Sequence, residues 1–253
     1  MAKSVSNMMF RNLLTRSKAE DINVINGRRQ KIPFATDGCD RCGSCSKVCP
    51  ADAITTDDGW TMDAGKCISC MECVDACKKN AIEMIDGPDY VLKREDLIFK
   101  HGGPKERTGG KLDAEKLKAI GRSIHIREVD TGSCNSCEVE VNSLSNQYYD
   151  VERFGIKIVA SPRHADVLLI TGPLTENMYL ALTKVVAATP NPKVIIAMGS
   201  CAISGGMFTN GNVIGKGIGD TVNVDIFIPG CPPSPDRLIR ALLGAFNLSS
   251  GQR

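Results

Sequence analysis

Two runs of cysteine constrain this chain more than any other feature. A displacement of 28 positions carries Cys39, Cys42, Cys45 and Cys49 onto Cys67, Cys70, Cys73 and Cys77, and Ala53-Ile54 onto Ala81-Ile82. Repetition at that level predicts two copies of one small unit related by a pseudo-twofold axis. Four further cysteines, Cys134, Cys137, Cys201 and Cys231, are widely separated, which points to a second domain that holds thiols in another way. The N-terminus has neither an apolar signal core nor a twin-arginine pair. No stretch approaches the roughly 18 apolar residues that span a bilayer. The chain is therefore expected in the cytoplasm, where thiols stay reduced and twelve cysteines indicate metal rather than disulfides.

The segment Cys39-Asp-Arg-Cys42-Gly-Ser-Cys45-Ser-Lys-Val-Cys49-Pro50 has the spacing in which three cysteines wrap one 4Fe-4S cubane and the fourth reaches another. Tetrahedral zinc normally takes separated cysteine pairs, so a run of four ending in Pro favours the cubane. Residues 34–90 resemble the two-cluster bacterial ferredoxins. That rule assigns Cys39, Cys42, Cys45 and Cys77 to one cluster and Cys67, Cys70, Cys73 and Cys49 to a second. Lys78 stands where the second repeat would have Pro, a departure that touches local geometry or potential but not the ligands. Some 60 residues with a thin core need metal–thiolate bonds to fold, so the apo form is expected to be unfolded.

Four segments follow: a basic N-terminal arm at 1–31, a ferredoxin-like domain at 32–92, a linker at 93–120 and a larger domain at 121–253. The arm carries Met8, Met9, Phe10, Leu13 and Leu14 as its apolar group and is read as a tail that orders on a neighbouring subunit, with a membrane-surface anchor as the alternative. The linker is rich in Gly and charge, with a short helix near 113–120. In the last segment, strands are expected at 123–129, 156–160, 166–171, 193–198 and 225–228, and helices near 138–148, 175–188 and 235–246. This alternation argues a parallel sheet covered on both faces. The fold class is thus an α+β ferredoxin-like domain followed by an α/β flavodoxin-like, doubly wound parallel-sheet domain.

Cys134, Cys201 and Cys231 each follow an expected strand. In an open parallel sheet, functional groups collect beyond the carboxyl ends of the strands, so Cys134, Cys137, Cys201 and Cys231 can converge on a third 4Fe-4S cluster. Their flanks, Gly132-Ser133, Gly199-Ser200 and Pro229-Gly230, with Pro232-Pro233 beyond, allow close approach and fix the last loop. About residues 120–247 resemble the small subunits of nickel–iron hydrogenases and the related cluster-carrying 20 kDa subunit of respiratory complex I. The two-residue gap in Cys134-Asn135-Ser136-Cys137 is that of hydrogenases, whereas complex I subunits have adjacent cysteines there. Within hydrogenases the chain resembles the membrane-type and formate-hydrogenlyase-type group, with a ferredoxin that is usually a separate subunit joined to the small subunit. The resemblance implies an electron-relay subunit, with the third cluster facing a nickel–iron centre in a partner large subunit. The external carrier would be a ferredoxin, a formate dehydrogenase or a flavin-containing NAD(P)H module.

Glu138 follows a ligand directly and is a candidate proton relay, although an acid in the first turn of a helix is also explained by the helix dipole. His101, His125 and His164 lack ligand spacing, and Gly215-Lys-Gly217-Ile-Gly219-Asp220 lacks the third Gly of a dinucleotide fingerprint, so no flavin or nucleotide site is expected. Trp60 is expected to pack over one cluster. Thr171 to Thr175 is read either as large-subunit interface or as a plain strand-to-helix turn. A net charge of +2 gives no reason to expect nucleic acid, and contact with a membrane would be made through other subunits. Two other functions stay open: the equivalent subunit of a nickel-free complex I-like or sulfur-reducing oxidoreductase, and a free-standing polyferredoxin carrier.

Overall fold

The computed structural model describes residues 30–101, 109–121, 123–209 and 211–248. Nearly all of the expected basic arm lies outside them. The repeat is visible in the first half residue by residue. Helix α1 (Ser44–Val48) and helix α2 (Glu72–Asp75) begin 28 positions apart. Each is entered through a left-handed residue, Gly43 at φ 75° and Met71 at φ 71°. Arg41 and Ser69 repeat a second positive φ, and Asp52 and Asn80 a third. Strand β1 (Lys31–Ala35) pairs antiparallel with β4 (Ile82–Asp86) and closes the two copies into one unit.

A second antiparallel sheet links β2 (Ile54–Thr55), β3 (Thr61–Asp63) and β5 (Ile98–Lys100), with β3 in the middle. The last of these falls inside the stretch expected to be a linker, so the structure corrects that expectation at 93–100. The segment is an edge strand whose pattern is exposed, buried, exposed, with only Phe99 turned inward, and such a strand looks like a charged loop in sequence. Leu97 is fully buried beside it, and the guanidinium of Arg94 forks onto Asp63, with Nη1 donating to Oδ1 at 2.9 Å and Nη2 to Oδ2 at 2.6 Å. Residues 109–120 are not free either. Leu112 donates its N–H to the Ala245 carbonyl, and helix α3 (Ala114–Ile120), capped by the Asp113 carboxylate, buries Ile120 in the second half.

The second half is a five-stranded parallel sheet. Its strands are β6 (Ile124–Asp130), β7 (Ile156–Ile158), β8 (Val167–Thr171), β9 (Val194–Met198) and β10 (Ile226–Ile228). Their order is β10-β9-β8-β6-β7, so the chain reverses its direction of travel between β6 and β8. Both faces are covered, which explains why β8 and β9 read as unbroken apolar runs. On one face Ile124, Ile126, Val167, Leu169, Ile196 and Ile228 pack against helix α4 (Ser136–Ser143) and helix α7 (Pro235–Ala245). On the other, Leu168, Ile170, Ile195, Ala197 and Phe227 share one cluster with Leu182 of helix α5 (Glu176–Ala188) and with Trp60, Met62 and Phe99 of the first half. The ferredoxin-like unit therefore supplies part of the sheet's own cover.

Helix α7 starts where chemistry dictates. Ser234 accepts from the Arg237 N–H, Pro235 occupies the first helical position, and Leu238, Ile239, Leu242 and Leu243 lie on one buried face. Two aspartates tie the other end of the sheet together: Asp166 accepts the His125 N–H at 3.0 Å, and Asp225 accepts the Ile195 N–H at 2.9 Å while pairing with Lys116.

Candidate functional site

Each half of the repeat turns its thiols toward a cavity, and each cavity borrows a thiol from the other half. One is lined by Cys39, Cys42, Cys45 and Cys77, with Lys79 and Ala81, around about 320 Å³ of protein-free space partly open to solvent. The other is lined by Cys67, Cys70, Cys73 and Cys49, with Pro33, Met71 and Met84, around about 360 Å³ of the same kind. The twofold relation extends to single hydrogen bonds. The Ala53 N–H donates to Cys49 Sγ and the Ala81 N–H to Cys77 Sγ, both at 3.3 Å. Cys45 and Cys73 are each 7% exposed. Lys78, in place of Pro, leaves the following turn intact, for Asn80 bonds back to Cys77 as Asp52 does to Cys49.

The electrostatics of these pockets suit an anionic, multi-thiolate group balanced by iron. Burial pushes the Cys73 thiol up to about 12, and Cys67, Cys49, Cys70 and Cys45 add repulsion. Cys67 is raised first by burial, partly offset by the Ser69 N–H that donates to its sulfur at 3.4 Å. Cys45 is raised by burial, with the indole of Trp60 acting in the opposite direction. That indole is buried and edge-on to Phe34. Such thiols ionise together only when a metal supplies positive charge. Among the described residues, no group of three or more His, Cys, Asp or Glu is gathered tightly enough for a single metal ion.

The remaining four cysteines come from three loops at the carboxyl edge of the parallel sheet. Cys134 follows β6, Cys137 lies in the first turn of α4, Cys201 lies in a short helix α6 (Gly199–Ser204) that leaves β9 directly, and Cys231 follows β10. Asp130, the last residue of β6, accepts the N–H groups of Gly132 and Ser133 at 2.7 Å each and so folds the Cys134 loop back. The Ser200 N–H donates to the Gly230 carbonyl at 2.8 Å and joins the Cys201 loop to the Cys231 loop. Two glycines clear the space for sulfur. A Cβ at Gly199 would lie 2.8 Å from Cys137 Sγ, and one at Gly206 would lie 2.8 Å from Cys201 Sγ. Burial raises Cys201 to about 12, with repulsion from Cys231, Cys134 and Glu138, and it raises Cys137 still further. Cys231 is raised by burial and by Cys134.

Glu138 is buried rather than an exposed first-turn acid. Its Oε1 accepts from the Thr171 hydroxyl, and its Oε2 has no hydrogen-bond partner. Glu128 lies within its field and is raised by burial first and by Glu138 second. Thr171 to Leu174 is buried beneath the chain's own loop, in which Ile214 donates to the Leu174 carbonyl and Glu176 to that of Asn212, so the segment is a covered turn rather than a free surface. His125 is held by Asp166 Oδ2 at 3.0 Å, and His101 Nε2 lies 3.2 Å from the Thr36 carbonyl. Gly215 to Asp220 forms a loop in which Asp220 accepts the Lys216 N–H at 2.7 Å.

What sequence reasoning missed is the join between the halves. Ser200, next to Cys201, donates its hydroxyl to the carbonyl of Cys67 at 2.9 Å, and Ser204 donates to that of Gly65 at 3.1 Å. Val91 and Phe227 exchange both backbone hydrogen bonds, at 3.0 and 2.9 Å. No local pattern marks these residues, because their partners lie more than 130 positions away in sequence.

Two family models match the chain: NADH ubiquinone oxidoreductase, 20 Kd subunit, over residues 134–245, and the 4Fe-4S dicluster domain over residues 38–82. The probable membrane-bound hydrogenase subunit mbhJ of Pyrococcus furiosus is 41% identical over 130 residues, which is 51% of this chain and 78% of that one. Formate hydrogenlyase subunit 7 of Escherichia coli is 44% identical over 124 residues, 49% of either chain. Among solved structures, a chain of the membrane-bound sulfane sulfur reductase, an archaeal respiratory membrane complex, is 31% identical with a TM-score of 0.46, covering 54% of this chain and 76% of that one. No helix among the described residues is long and apolar enough to cross a membrane.

Proposed function

Because the chain belongs to the NADH ubiquinone oxidoreductase 20 kDa subunit family and carries a 4Fe-4S dicluster domain ahead of that region, we propose that it is the electron-relay subunit of a multi-subunit nickel–iron hydrogenase. Three 4Fe-4S clusters, when bound, supply one-electron transfer. Cys39, Cys42, Cys45 and Cys77 hold the first, Cys67, Cys70, Cys73 and Cys49 the second, and Cys134, Cys137, Cys201 and Cys231 the third. The domain division follows the same lines: the dicluster unit takes in 98–100, and the parallel-sheet unit takes in 109–120.

The observation that carries the reading is the hydrogen bond from Ser200 to the Cys67 carbonyl, which joins a ligand loop of the third site to a ligand loop of the second. It supports an order in which the Cys67 site lies between the third site and the Cys39 site. At the other end, Val139, Met207 and Phe208 expose apolar surface beside Cys137 and Cys201, where a large subunit with its own nickel–iron centre would dock. That exposed face favours a complex over a free-standing carrier. Glu138 is the proton relay in this reading, supported by its buried place next to Cys137 and its hydrogen bond from the Thr171 hydroxyl. The external carrier, whether a ferredoxin, a formate dehydrogenase or a flavin-containing NAD(P)H module, would meet the Cys39 side, with any membrane reached through other subunits.

The native complex tests this. Copurification with a nickel-containing large subunit and hydrogen-dependent dye reduction are expected. A complex that contains iron and labile sulfide but no nickel, and does not reduce dye with hydrogen, would overturn the hydrogenase assignment in favour of a nickel-free or sulfur-reducing relative.

A further inference from the structure

The seam between the halves contains a buried charge that neither the ligand sets nor the sheet requires. Arg237, in the first turn of α7, is 1% exposed. Its Nη1 donates to the Pro229 carbonyl at 2.7 Å and to Gln30 Oε1 at 3.0 Å, and its Nη2 donates to the Gln30 carbonyl at 2.9 Å. Pro229 stands two residues before Cys231. Gln30 Nε2 donates to Ser69 Oγ at 3.4 Å, and the Ser69 N–H donates to Cys67 Sγ at 3.4 Å. One guanidinium thus touches the loop of the third site directly and reaches a thiol of the second through the Gln30 side chain and Ser69, whose backbone N–H makes the last bond. Asp89, 2% exposed, lies 4.0 Å from Arg237 Nε and accepts from Arg240 Nη2 at 2.9 Å.

A guanidinium is costly to bury unless it is hydrogen-bonded and paired, and here two carbonyls and a carboxamide accept from Nη1 and Nη2 while the Asp89 carboxylate stands 4.0 Å from Nε. Its charge then acts through a medium of low effective dielectric, with a strength that falls with distance. Reduction makes an iron–sulfur cluster more negative, so a fixed positive charge nearby stabilises the reduced form and raises the potential. From Gln30, β1 carries the chain on the order of 16 Å before the Cys39 loop begins.

Resting on the cluster assignments proposed above, we propose that Arg237 is a positioning residue that raises the reduction potentials of the two sites flanking the seam. These are the Cys134/Cys137/Cys201/Cys231 site and the Cys49/Cys67/Cys70/Cys73 site, while the Cys39/Cys42/Cys45/Cys77 site is left nearly untouched. Asp89 acts in the opposite direction. The distant site makes the chain its own control.

The test is a potentiometric titration of the full chain in its native complex, followed by electron paramagnetic resonance, for wild type, Arg237→Gln, Arg237→Lys and Asp89→Asn. Arg237→Gln is expected to lower the potentials of the two flanking sites and spare the third. Arg237→Lys, which keeps the charge, should restore most of the shift, and Asp89→Asn should move the same two potentials upward. Unchanged potentials in Arg237→Gln, or an equal shift at all three sites, would overturn the inference. If Arg237→Gln fails to assemble, Asp89→Asn decides, and a downward or absent shift there sinks the idea. Wild-type complex without iron and labile sulfide would instead overturn the cluster assignments, and this inference with them.

Discussion

Replacing Gly199 by Ala adds one methyl group at the point where the three loops of the third site meet. Gly199 has φ +89°, a backbone conformation that costs a residue with a side chain about 1–3 kcal/mol. The new Cβ would also stand 2.8 Å from Cys137 Sγ, whereas ordinary contact begins at 3.4 Å, so the thiol must retreat by about 0.6 Å. The Gly230 carbonyl at 3.5 Å and Pro233 Cδ at 3.7 Å close off movement toward the Cys231 loop. The backbone strain alone corresponds to about a 5- to 140-fold shift in the equilibrium that favours the assembled loop. In a chain of 253 residues it lowers the melting temperature by about 2–12 °C. Iron and labile sulfide per chain, with resonance spectra to say which cluster is lost, are the assay. Selective loss of the third cluster is expected, with the repeat's two clusters retained. Gly219→Ala, where an added Cβ meets nothing within 4 Å, should behave as wild type. Full occupancy of the third site in Gly199→Ala, or parallel loss at all three, would refute the reasoning.

Three further outcomes follow from the same geometry. Cys77→Ser should disable the cluster of the first run, Cys39 to Cys45, and spare that of the second run in which Cys77 itself lies; spectra showing loss at the second run would refute the crossover. Ser200→Ala leaves the Cys67 carbonyl without its buried donor and should destabilise the chain by about 1–3 kcal/mol, as measured by urea unfolding, with an unchanged midpoint arguing against the join. Stripping iron with acid and chelator should expose Trp60, the chain's single tryptophan and 2% exposed in the folded state, so its emission should shift to the red; an unshifted spectrum would show that the core holds without metal.

The parts of this protein that were legible in sequence are those governed by local rules. The strands found at 124–130, 156–158, 167–171, 194–198 and 226–228 lie within a residue or two of where apolar runs and turn residues put them, because a parallel sheet buried on both faces leaves continuous hydrophobic segments. Helix α7 announces itself through Ser234, Pro235 and the spacing of its leucines. Strand β5 does not, since three residues with one inward side chain carry too little pattern to outweigh the charges around them. The short helix α6 was hidden for a related reason: Gly199-Ser200-Cys201 reads as a ligand loop, and its helical turn comes from packing beneath the dicluster unit.

In the sequence, the repeat of the cysteine run and the position of the other four cysteines after expected strands pointed to the proposed three sets of thiols, because both are local features. They could not determine how the two halves meet. That was decided by tertiary structure: Ser200 on Cys67, Ser204 on Gly65, Val91 on Phe227, and the buried group formed by Arg237, Arg240 and Asp89. Each of these contacts satisfies a polar group that burial would otherwise leave unpaired, and burial comes into being only when distant segments pack.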